Sequence, residues 1–332
     1  MLSGGLDSFQ ADGALPDLTD PGPWVRAQAG LAAPLADAAI ALGALDAAVE
    51  SAPWIVPRLA LIEAEAMLWS QGIILRREEI GRDLMAARAG SDMQGLVQAR
   101  WAVRRLCPGG DFDPSAPRVA PPGDLRTFLG LHRVARAGLD ESLVQRPCGD
   151  DFDHAAQGFV QALAAMSGLH PLAQAGVALP LWRLAGLSPV EDVIEVGSFV
   201  TLHAARAMPC LPFTPLGRHG RKAWRAGGTA GQRLEAWLAA LRDGARDARA
   251  ELRRLERWSQ DSLAAVARMK GDTPARLIGV ALRSPLVGTE DCERHLNISR
   301  DSAERGLSRL QQLGILREIT GRGRFRLWTA AA

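Results

Sequence analysis

The chain has 332 residues, of which 47% are apolar and 23% are charged; its 39 basic residues nearly balance its 37 acidic residues, which leaves a net charge of +2. This composition is that of a globular protein of two or three domains, and it excludes wholesale disorder. The small net charge of the whole chain does not indicate nucleic acid or membrane as a partner. Any such partner must therefore be recognised by local charge.

The four cysteines lie far apart, with neither a C-x-x-C pair nor the spacing of zinc ligands. We expect buried thiols in a reducing cytosol. The polar, acidic N-terminus is not typical of a secretory signal, and no apolar run reaches the about 18 residues of a membrane span. The sequence therefore predicts a cytoplasmic protein with no membrane span, no metal and no other cofactor.

Residues 1–22 are rich in Gly, Pro and Asp and predict a mobile N-terminal arm. From residue 23 to about 105, apolar residues recur at three- and four-residue spacing, which predicts helices. Five prolines and three glycines then fall within residues 107–123, which indicates a linker or long loop.

Helical patterning resumes after this loop and continues in five further stretches, residues 124–137, 153–167, 171–185, 189–207 and 232–270. No convincing period-two run precedes residue 270, so residues 23–258 are predicted to form an all-α domain. Residues 259–273 are predicted to be a connecting helix or linker.

The last sixty residues have a different pattern. Residues 274–282 form a short amphipathic helix, and Thr289 is a good N-cap for a second helix that ends near Leu296. After a tight turn, Ser299 is predicted to cap a third helix that runs to about Gln312.

Gly314 ends the third helix and is followed by two apolar segments, residues 315–320 and 325–329, on either side of the turn Gly-Arg-Gly-Arg. This pattern predicts a β-hairpin. Helix, helix, turn, helix and hairpin is the order of a winged helix-turn-helix, which we assign to residues 274–332. The predicted fold is therefore mostly α, with a small β-hairpin near the C-terminus.

The predicted winged helix carries a local charge excess, with 11 basic and 7 acidic residues between Lys270 and Ala332. We expect the third helix to enter a major groove of double-stranded DNA and the hairpin tip to reach a minor groove or the backbone. Base contacts are assigned to Arg300, Ser302 and Arg305, and backbone contacts to Arg309, Arg322, Arg324 and Arg326, the last by outward alternation along the strand.

Winged helices also serve as protein-interaction or dimerisation modules, in which the same arginines would be a solvated surface. We favour DNA binding because helix order, capping, turn and tip chemistry agree. A homodimer is expected, since helix-turn-helix proteins commonly read paired half-sites.

Two segments resemble a family of bacterial proteins that end in a helix-turn-helix DNA-binding domain. The segment LGILREITGRGRFRLW, residues 313–328, is similar to that family's C-terminus, and AEAMLWSQG, residues 64–72, is similar to its N-terminal domain of unknown function. The resemblance covers most of residues 30–330 and implies a DNA-binding protein.

The helical domain also resembles Fic-type proteins, whose enzymatic members carry the loop H-P-F-x-[D/E]-G-N-G-R. In that family the His is a general base, the acid holds Mg²⁺, and the glycines and the Arg bind nucleotide phosphates. Here His170 is followed by Pro, but Gln174 replaces the acid, Gly176 is a single shifted glycine and Ala178 replaces the Arg. The resemblance therefore implies a degenerate scaffold without enzyme activity; the alternative is a Fic-type nucleotidyl or phosphoryl transferase.

Some Fic proteins carry an inhibitory Ser/Thr-x-x-x-Glu-Gly/Asn helix at a position where this chain has Met67, Gln71 and Gly72. Both functional positions, the hydroxyl residue and the glutamate, are altered. We therefore expect no inhibitory role for this stretch.

Two further clusters admit two interpretations each. Asp150, Asp151 and Asp153 could hold a cation with His154, but we favour a role in capping the following helix. A row of arginines, Arg242, Arg246, Arg249 and Arg253, is either a salt-bridged helix face or an additional phosphate-binding surface, and we favour the former.

Overall fold

The computed structural model describes residues 18–86, 92–107, 124–131, 146–321 and 326–332, and in these residues the backbone is mainly helical. A short antiparallel sheet of two strands, β1 (Leu316–Glu318) and β2 (Trp328–Ala330), lies near the C-terminus. This agrees with the expected fold class. The α-helices of the described residues are, in chain order, α1 (Pro21–Gly30), α2 (Ala32–Ser51), α3 (Val56–Ser70), α4 (Arg77–Leu84), α5 (Met93–Leu106), α6 (Leu125–Leu129), α7 (Gly149–Ala165), α8 (Pro171–Leu184), α9 (Val193–Ala204), α10 (Gly220–Arg225), α11 (Ala230–Val266), α12 (Thr273–Arg283), α13 (Thr289–Leu296) and α14 (Arg300–Gln312).

The long helix α11 is the central element of the fold. Thr229 and Gln232 cap its start reciprocally, with the Gln232 amide donating to Thr229 Oγ1 and the Thr229 amide donating to Gln232 Oε1. Its apolar stripe then packs against α1, α2, α8 and α10. We call this assembly, α1 to α10 with the part of α11 up to Leu255, the helical body.

An aromatic cluster fixes the helices α6 to α9 relative to one another. Phe159 and Trp182 meet edge to face with ring centroids 5.4 Å apart, and Phe199 lies 5.0 Å from Trp182. Phe128 of α6 contacts Trp182 and Phe199 edge to face. Such pairs prefer specific angles, so they set the relative orientation of the helices as well as burying area.

The last residues of the predicted N-terminal arm, which we placed at residues 1–22, are described by the structure and contact α1. Residues 1–17 lie outside the described residues, but Leu18 already accepts a hydrogen bond from the indole of Trp24 at 3.1 Å. Asp20 caps α1 by accepting from the Gly22 amide at 2.9 Å. The described end of the arm is therefore held against the helical body.

By length and composition alone helix α2 could cross a membrane, although from the sequence we expected no such segment. In the fold it packs along α11. Its Asp46 is buried, and Oδ1 accepts hydrogen bonds from the amides of Cys210 at 2.8 Å and Leu211 at 2.7 Å. These contacts join one face of α2 to the helical body.

A second hydrophobic core forms from Trp258 onward. The side chains of Trp258 and Val266, both on α11, pack here with those of α12, α13, α14 and the two strands, and the Trp258 indole donates to the Ile315 carbonyl at 3.0 Å. The segment predicted to be a connecting helix or linker is thus helical as far as Val266. We call residues 273–332 the C-terminal unit.

Candidate nucleic-acid interface

The helices α13 and α14 meet at a tight turn. Asn297 adopts a left-handed backbone conformation, with φ of 54°, which ends α13. Ser299 then caps α14 by accepting from the Ser302 amide at 3.3 Å. The predicted turn and the Ser299 cap are confirmed, whereas Thr289 is the first residue of α13 and Gly288 is its N-cap.

Helix α14 has one buried and one solvent-facing side. Ala303, Leu307 and Leu310 are buried against α12 and α13. Ser302, Arg305 and Arg309 lie on the other side, and both arginines are exposed.

The side-chain hydrogen bonds of Arg305 and Arg309 are long and local. Arg305 Nη2 donates to Ser302 Oγ at 3.5 Å, and Arg309 Nη1 donates to Gln312 Oε1 at 3.4 Å. Exposed bonds of this length constrain a side chain weakly. Arg300 is exposed at the first position of the helix. We call Arg300, Ser302, Arg305 and Arg309 the α14 surface.

Arg326 does not point outward as strand alternation led us to expect. Its guanidinium donates to Glu304 Oε1 at 3.0 Å, to Ser308 Oγ at 3.3 Å and to Gln311 Oε1 at 2.8 Å. It also lies over the Trp328 ring, 4.8 Å from the centroid. Because the segment before β2 lies against α14, Arg326 joins these two elements instead of facing solvent.

The hairpin tip itself, with Arg322 and Arg324, lies outside the described residues. The base of the hairpin is well defined, because Glu318 Oε1 accepts from the Thr320 amide at 2.6 Å and from the Gly321 amide at 3.0 Å. Val287 also pairs with Trp328 through two backbone hydrogen bonds of 2.8 and 2.9 Å. This third extended segment was not expected from the sequence.

The C-terminal unit is docked on the helical body through α12. Arg58 of α3 donates from Nη2 to the carbonyls of Ala281 at 2.5 Å and Ser284 at 2.8 Å. An ion pair of 3.0 Å joins Arg317 of β1 to Glu78 of α4. These docking contacts are made by α12, Ser284 and β1, and they involve no residue of the α14 surface.

Two of the four arginines of the row on α11 form ion pairs, so the salt-bridged face favoured from the sequence is found for half of the row. Arg242 and Arg246 both pair with Asp243, at 2.8 and 3.7 Å. Arg249 and Arg253 form no ion pair within the ranges that the structure describes. Those two positions are the part of the row that could still contact phosphate.

The aspartates after Cys148 lie within α7, because this helix begins at Gly149 instead of Asp153. Asp150 and Asp151 occupy its first turn, where they complement the helix dipole. Asp153 pairs with Arg126 at 2.6 Å. No group of three or more His, Cys, Asp or Glu residues in the described ranges has the geometry of a metal site.

His170 is the N-cap of α8. Its Nδ1 accepts from the Leu172 amide at 3.2 Å, and its own amide donates to Gln28 Oε1 at 2.7 Å. Pro171 occupies the first turn of the helix, a position that suits proline. This arrangement engages the imidazole in capping.

The residues after His170, which correspond to the rest of the Fic loop, belong to α8 and are mostly packed into the core. Gln174 donates to the Leu163 carbonyl at 3.1 Å and pairs with His203 at 3.2 Å. Burial lowers the pKa of His203 to about 4, so this imidazole is neutral at physiological pH. A Cβ at Gly176 would lie 2.5 Å from the Trp237 ring, which occupies the space beside this glycine.

Gln71, at the position of the altered inhibitory glutamate, caps the start of α9. Its Oε1 accepts from the Val193 amide at 2.7 Å and from the Ile194 amide at 3.3 Å. Asp192 supplies a second acceptor for the Ile194 amide at 2.8 Å, which explains why α9 begins at Val193 and not at Pro189.

Comparison with known proteins identifies the C-terminal unit. Residues 275–330 match a family model described as HTH DNA binding domain. The chain ends in a helix-turn-helix DNA-binding domain. We call residues 275–330 the HTH domain.

Among solved structures, the chain is similar to a Fic family protein from Desulfovibrio desulfuricans G20. The two chains share 16% identity with a TM-score of 0.51, and the match covers 93% of this chain and 96% of that chain. Identity this low shows a shared fold alone, and it confirms the Fic-like architecture expected from the sequence. A search of curated proteins found no match.

Sequence analysis missed the residues that join the HTH domain to the helical body. Arg58 lies in the predominantly apolar stretch VPRLALIEAEAM. A charged residue on an apolar helix face is a signal of a buried polar contact. That signal was present, but its partners could be identified only from the fold.

Proposed function

We propose that this protein is a transcriptional regulator that binds double-stranded DNA in a sequence-specific manner. The observation that carries the proposal is the α14 surface, an exposed row of polar and basic side chains on the third helix of an HTH domain. A helix of this kind fits the major groove, where arginine reads guanine by two hydrogen bonds.

In this proposal the HTH domain is a winged helix, with α14 as the recognition helix and the hairpin as the wing. Arg300, Ser302 and Arg305 contact base edges, and Arg309 contacts the phosphate backbone. Arg322 and Arg324 extend the contact from the wing tip. Arg326 is given a positioning role, because its hydrogen bonds and ion pair are made to α14.

We propose that the helical body serves in dimerisation or in sensing, without Fic-type catalysis. The engagement of His170 as a cap, the core contacts of Gln174 and the position of Trp237 beside Gly176 support this view. Nucleotide transfer in the Fic family depends on the acid, glycines and arginine that the corresponding segment of this chain, residues 170–178, lacks. A homodimer would present two α14 helices to paired half-sites.

The test is selection of bound DNA from a random pool by the full-length protein, followed by affinity measurements on the selected sequence at several salt concentrations. A single enriched motif is expected. Arg305→Glu should weaken binding to that motif by one or more orders of magnitude, while Arg104→Glu, an exposed arginine on α5, should leave it unchanged. Recovery of no motif, or equal affinity for both variants, would refute the proposal.

The Fic-type alternative predicts binding of ATP with Mg²⁺. Thermal unfolding in their presence should show no stabilisation if the body is catalytically inactive. A rise in the melting temperature that is lost in His170→Ala would support the transferase instead.

A further inference from the structure

A groove with a volume of about 790 Å³ runs between α3, the segment 73–77, the loop 215–218 and α11. Volumes of about 300–1,000 Å³ are typical of small-molecule sites. None of its lining residues belongs to the α14 surface or to residues 170–178. The groove is therefore separate from the proposed DNA-binding surface and from the Fic-like segment.

The floor of the groove is apolar and partly open to solvent. Leu59, Ile62 and Ala66 of α3 line it, and Trp69 and Ile74 lie beside them with 48% and 82% of their surface exposed. The Arg221 guanidinium lies 4.7 Å from the Trp69 ring centroid, and the remaining exposed surface of Trp69 and Ile74 is accessible to an apolar group. The floor thus suits the apolar part of a ligand.

Each carboxylate that lines the groove already has a basic partner. Arg77 lies 3.9 Å from Glu65, and Arg254 lies 2.7 Å from Glu251. Asp247 contacts Arg218 at 3.1 Å and also His219. The acidic side chains therefore leave no negative charge to attract a cation.

The groove is also lined by two arginines that do not belong to these ion pairs. Arg76 and Arg257 are exposed and form no ion pair with a residue in the described ranges. Arg257 lies one turn after Arg254 on α11, and both line the groove. The excess of positive charge suits an anionic group.

A second cavity, of about 350 Å³, continues from the groove to the junction with the HTH domain. Arg77, Glu251 and Arg254 line both cavities, and Arg58 lines the second. Arg58 is buried with its Nε lacking a hydrogen-bond partner in the described structure, and its partners are carbonyls, not a carboxylate. The side chains that line this second cavity include four arginines and two glutamates, so positive side-chain charge exceeds negative side-chain charge at this end of the groove as well.

We propose that the groove binds an amphipathic anion, with an acyl or aryl body on Ile62, Ala66 and Trp69 and a carboxylate near Arg254 and Arg257. The apolar floor alone would accept a neutral or a cationic amphiphile equally well. Arg76 and Arg257, which form no ion pair in the described ranges, favour an anionic one. This inference is independent of DNA binding, because its test contains no DNA.

The test is a calorimetric titration of the full-length protein with decanoate, below the concentration at which decanoate forms micelles. Saturable binding is expected, together with a rise in the melting temperature. Decyltrimethylammonium, with the same chain and the opposite charge, should bind at least tenfold more weakly. Equal binding of the two amphiphiles would show detergent action and would overturn the proposal.

Two matched variants locate the anionic group. Arg257→Glu should weaken decanoate binding at least tenfold, whereas Arg253→Glu, which reverses an exposed charge one turn earlier on α11 outside the groove, should not. Equal affinities for the two variants would overturn the proposal.

A second pair of variants tests the apolar floor. Ala66→Phe should fill the groove and abolish binding, and Ala156→Phe on α7, a partly buried alanine outside the groove, is its control. Unchanged binding by a folded Ala66→Phe protein would contradict the proposed position of the acyl chain. If Ala66→Phe does not fold, Trp69→Ala, which removes an exposed side chain of the floor, replaces it and should reduce the affinity.

Discussion

Arg58 on α3 donates to the carbonyl oxygen of Ala281 on α12, at 2.5 Å and across 223 residues of sequence. This contact lies between the helical body and the HTH domain, and its second acceptor, Ser284, follows the end of α12. Burial lowers the pKa of Arg58 to about 10, so the guanidinium remains charged at neutral pH.

Arg58→Ala should therefore reduce the free energy of unfolding by roughly 2–3 kcal/mol, because it leaves two carbonyls at the junction without their charged donor. Urea denaturation of the full-length protein measures this change. Arg104→Ala, which removes an exposed arginine of α5, is expected to change the same quantity by less than about 0.5 kcal/mol. Similar effects of the two substitutions would mean that the junction contact contributes nothing.

Glu63 should make the folded protein less stable as the pH rises, which is the opposite of the usual effect of an acidic residue. Burial raises its pKa to about 7, although the amides of Leu216 and Gly217 donate to its Oε2 at 2.9 and 2.7 Å. Because the folded-state pKa is above the ordinary value, protonation favours the folded state. The stabilisation is present below pH 4.5 and is lost as the pH rises through 7.

The free energy of unfolding of Glu63→Gln relative to wild type should therefore rise by up to about 3 kcal/mol between pH 5 and pH 8. Comparison with wild type at each pH is necessary because His203, with a lowered pKa, contributes the opposite slope as its stabilisation is lost below pH 6.5. A pH-independent difference between the two proteins would show that Glu63 does not titrate in this range.

Gly306 permits the close approach of α14 to α12. A Cβ at this position would lie 2.4 Å from Leu277 Cδ1. Gly306→Val should lower the free energy of unfolding by roughly 1–3 kcal/mol through overpacking. Gly279→Ala is the contrasting variant, since no atom lies within 4 Å of its Cβ position, and it should stabilise α12 by about 0.5–1 kcal/mol. Thermal unfolding of both variants measures these changes. Changes in stability of the same sign in the two variants would contradict this packing.

Arg305 and Arg309 should differ in how they affect DNA affinity. Arg305→Ala should cost about 1–3 kcal/mol on the selected site and much less on unrelated DNA, because a base contact is lost. Arg309→Ala should weaken both kinds of DNA alike and reduce the slope of log affinity against log salt by about one. Identical salt slopes and specificity ratios in the two variants would contradict the assigned roles.

Arg326→Ala should act through structure and leave the salt dependence of DNA binding unchanged. The substitution removes the ion pair with Glu304 and the hydrogen bond to Gln311, so the segment before β2 loses its contact with α14. A loss of unfolding free energy of about 1–2 kcal/mol is expected. A reduced salt slope with unchanged stability would instead assign Arg326 to the phosphate backbone.

The C-terminal unit was predictable from sequence because its signals are local. The Ser299 cap, the turn at Asn297 and the glycine stop at Gly314 each depend on residues within a few positions. The orientation of Arg326 was predicted wrongly, because strand alternation describes a regular strand and the residue precedes β2, which begins at Trp328. Its direction is set by Glu304 and Gln311 on another element.

The helical body was less predictable in detail. Helical periodicity located most helices, but α7 begins four residues earlier and α9 four residues later than expected. The start of α9 depends on Gln71, which is 122 residues away from Val193 in the sequence. Contacts of this range, like that of Arg58 with Ala281, leave no periodic pattern and become visible only in the fold.

Helix α11 continues without interruption from the core of the helical body into the core of the C-terminal unit, where Trp258 and Val266 pack. A flexible linker would let each HTH domain move independently of its helical body. A continuous helix shared by both cores does not allow this. In the proposed dimer, the contact between the two helical bodies would then set the distance between the two copies of α14. The number of base pairs separating the two halves of an operator would accordingly be a fixed requirement of this architecture.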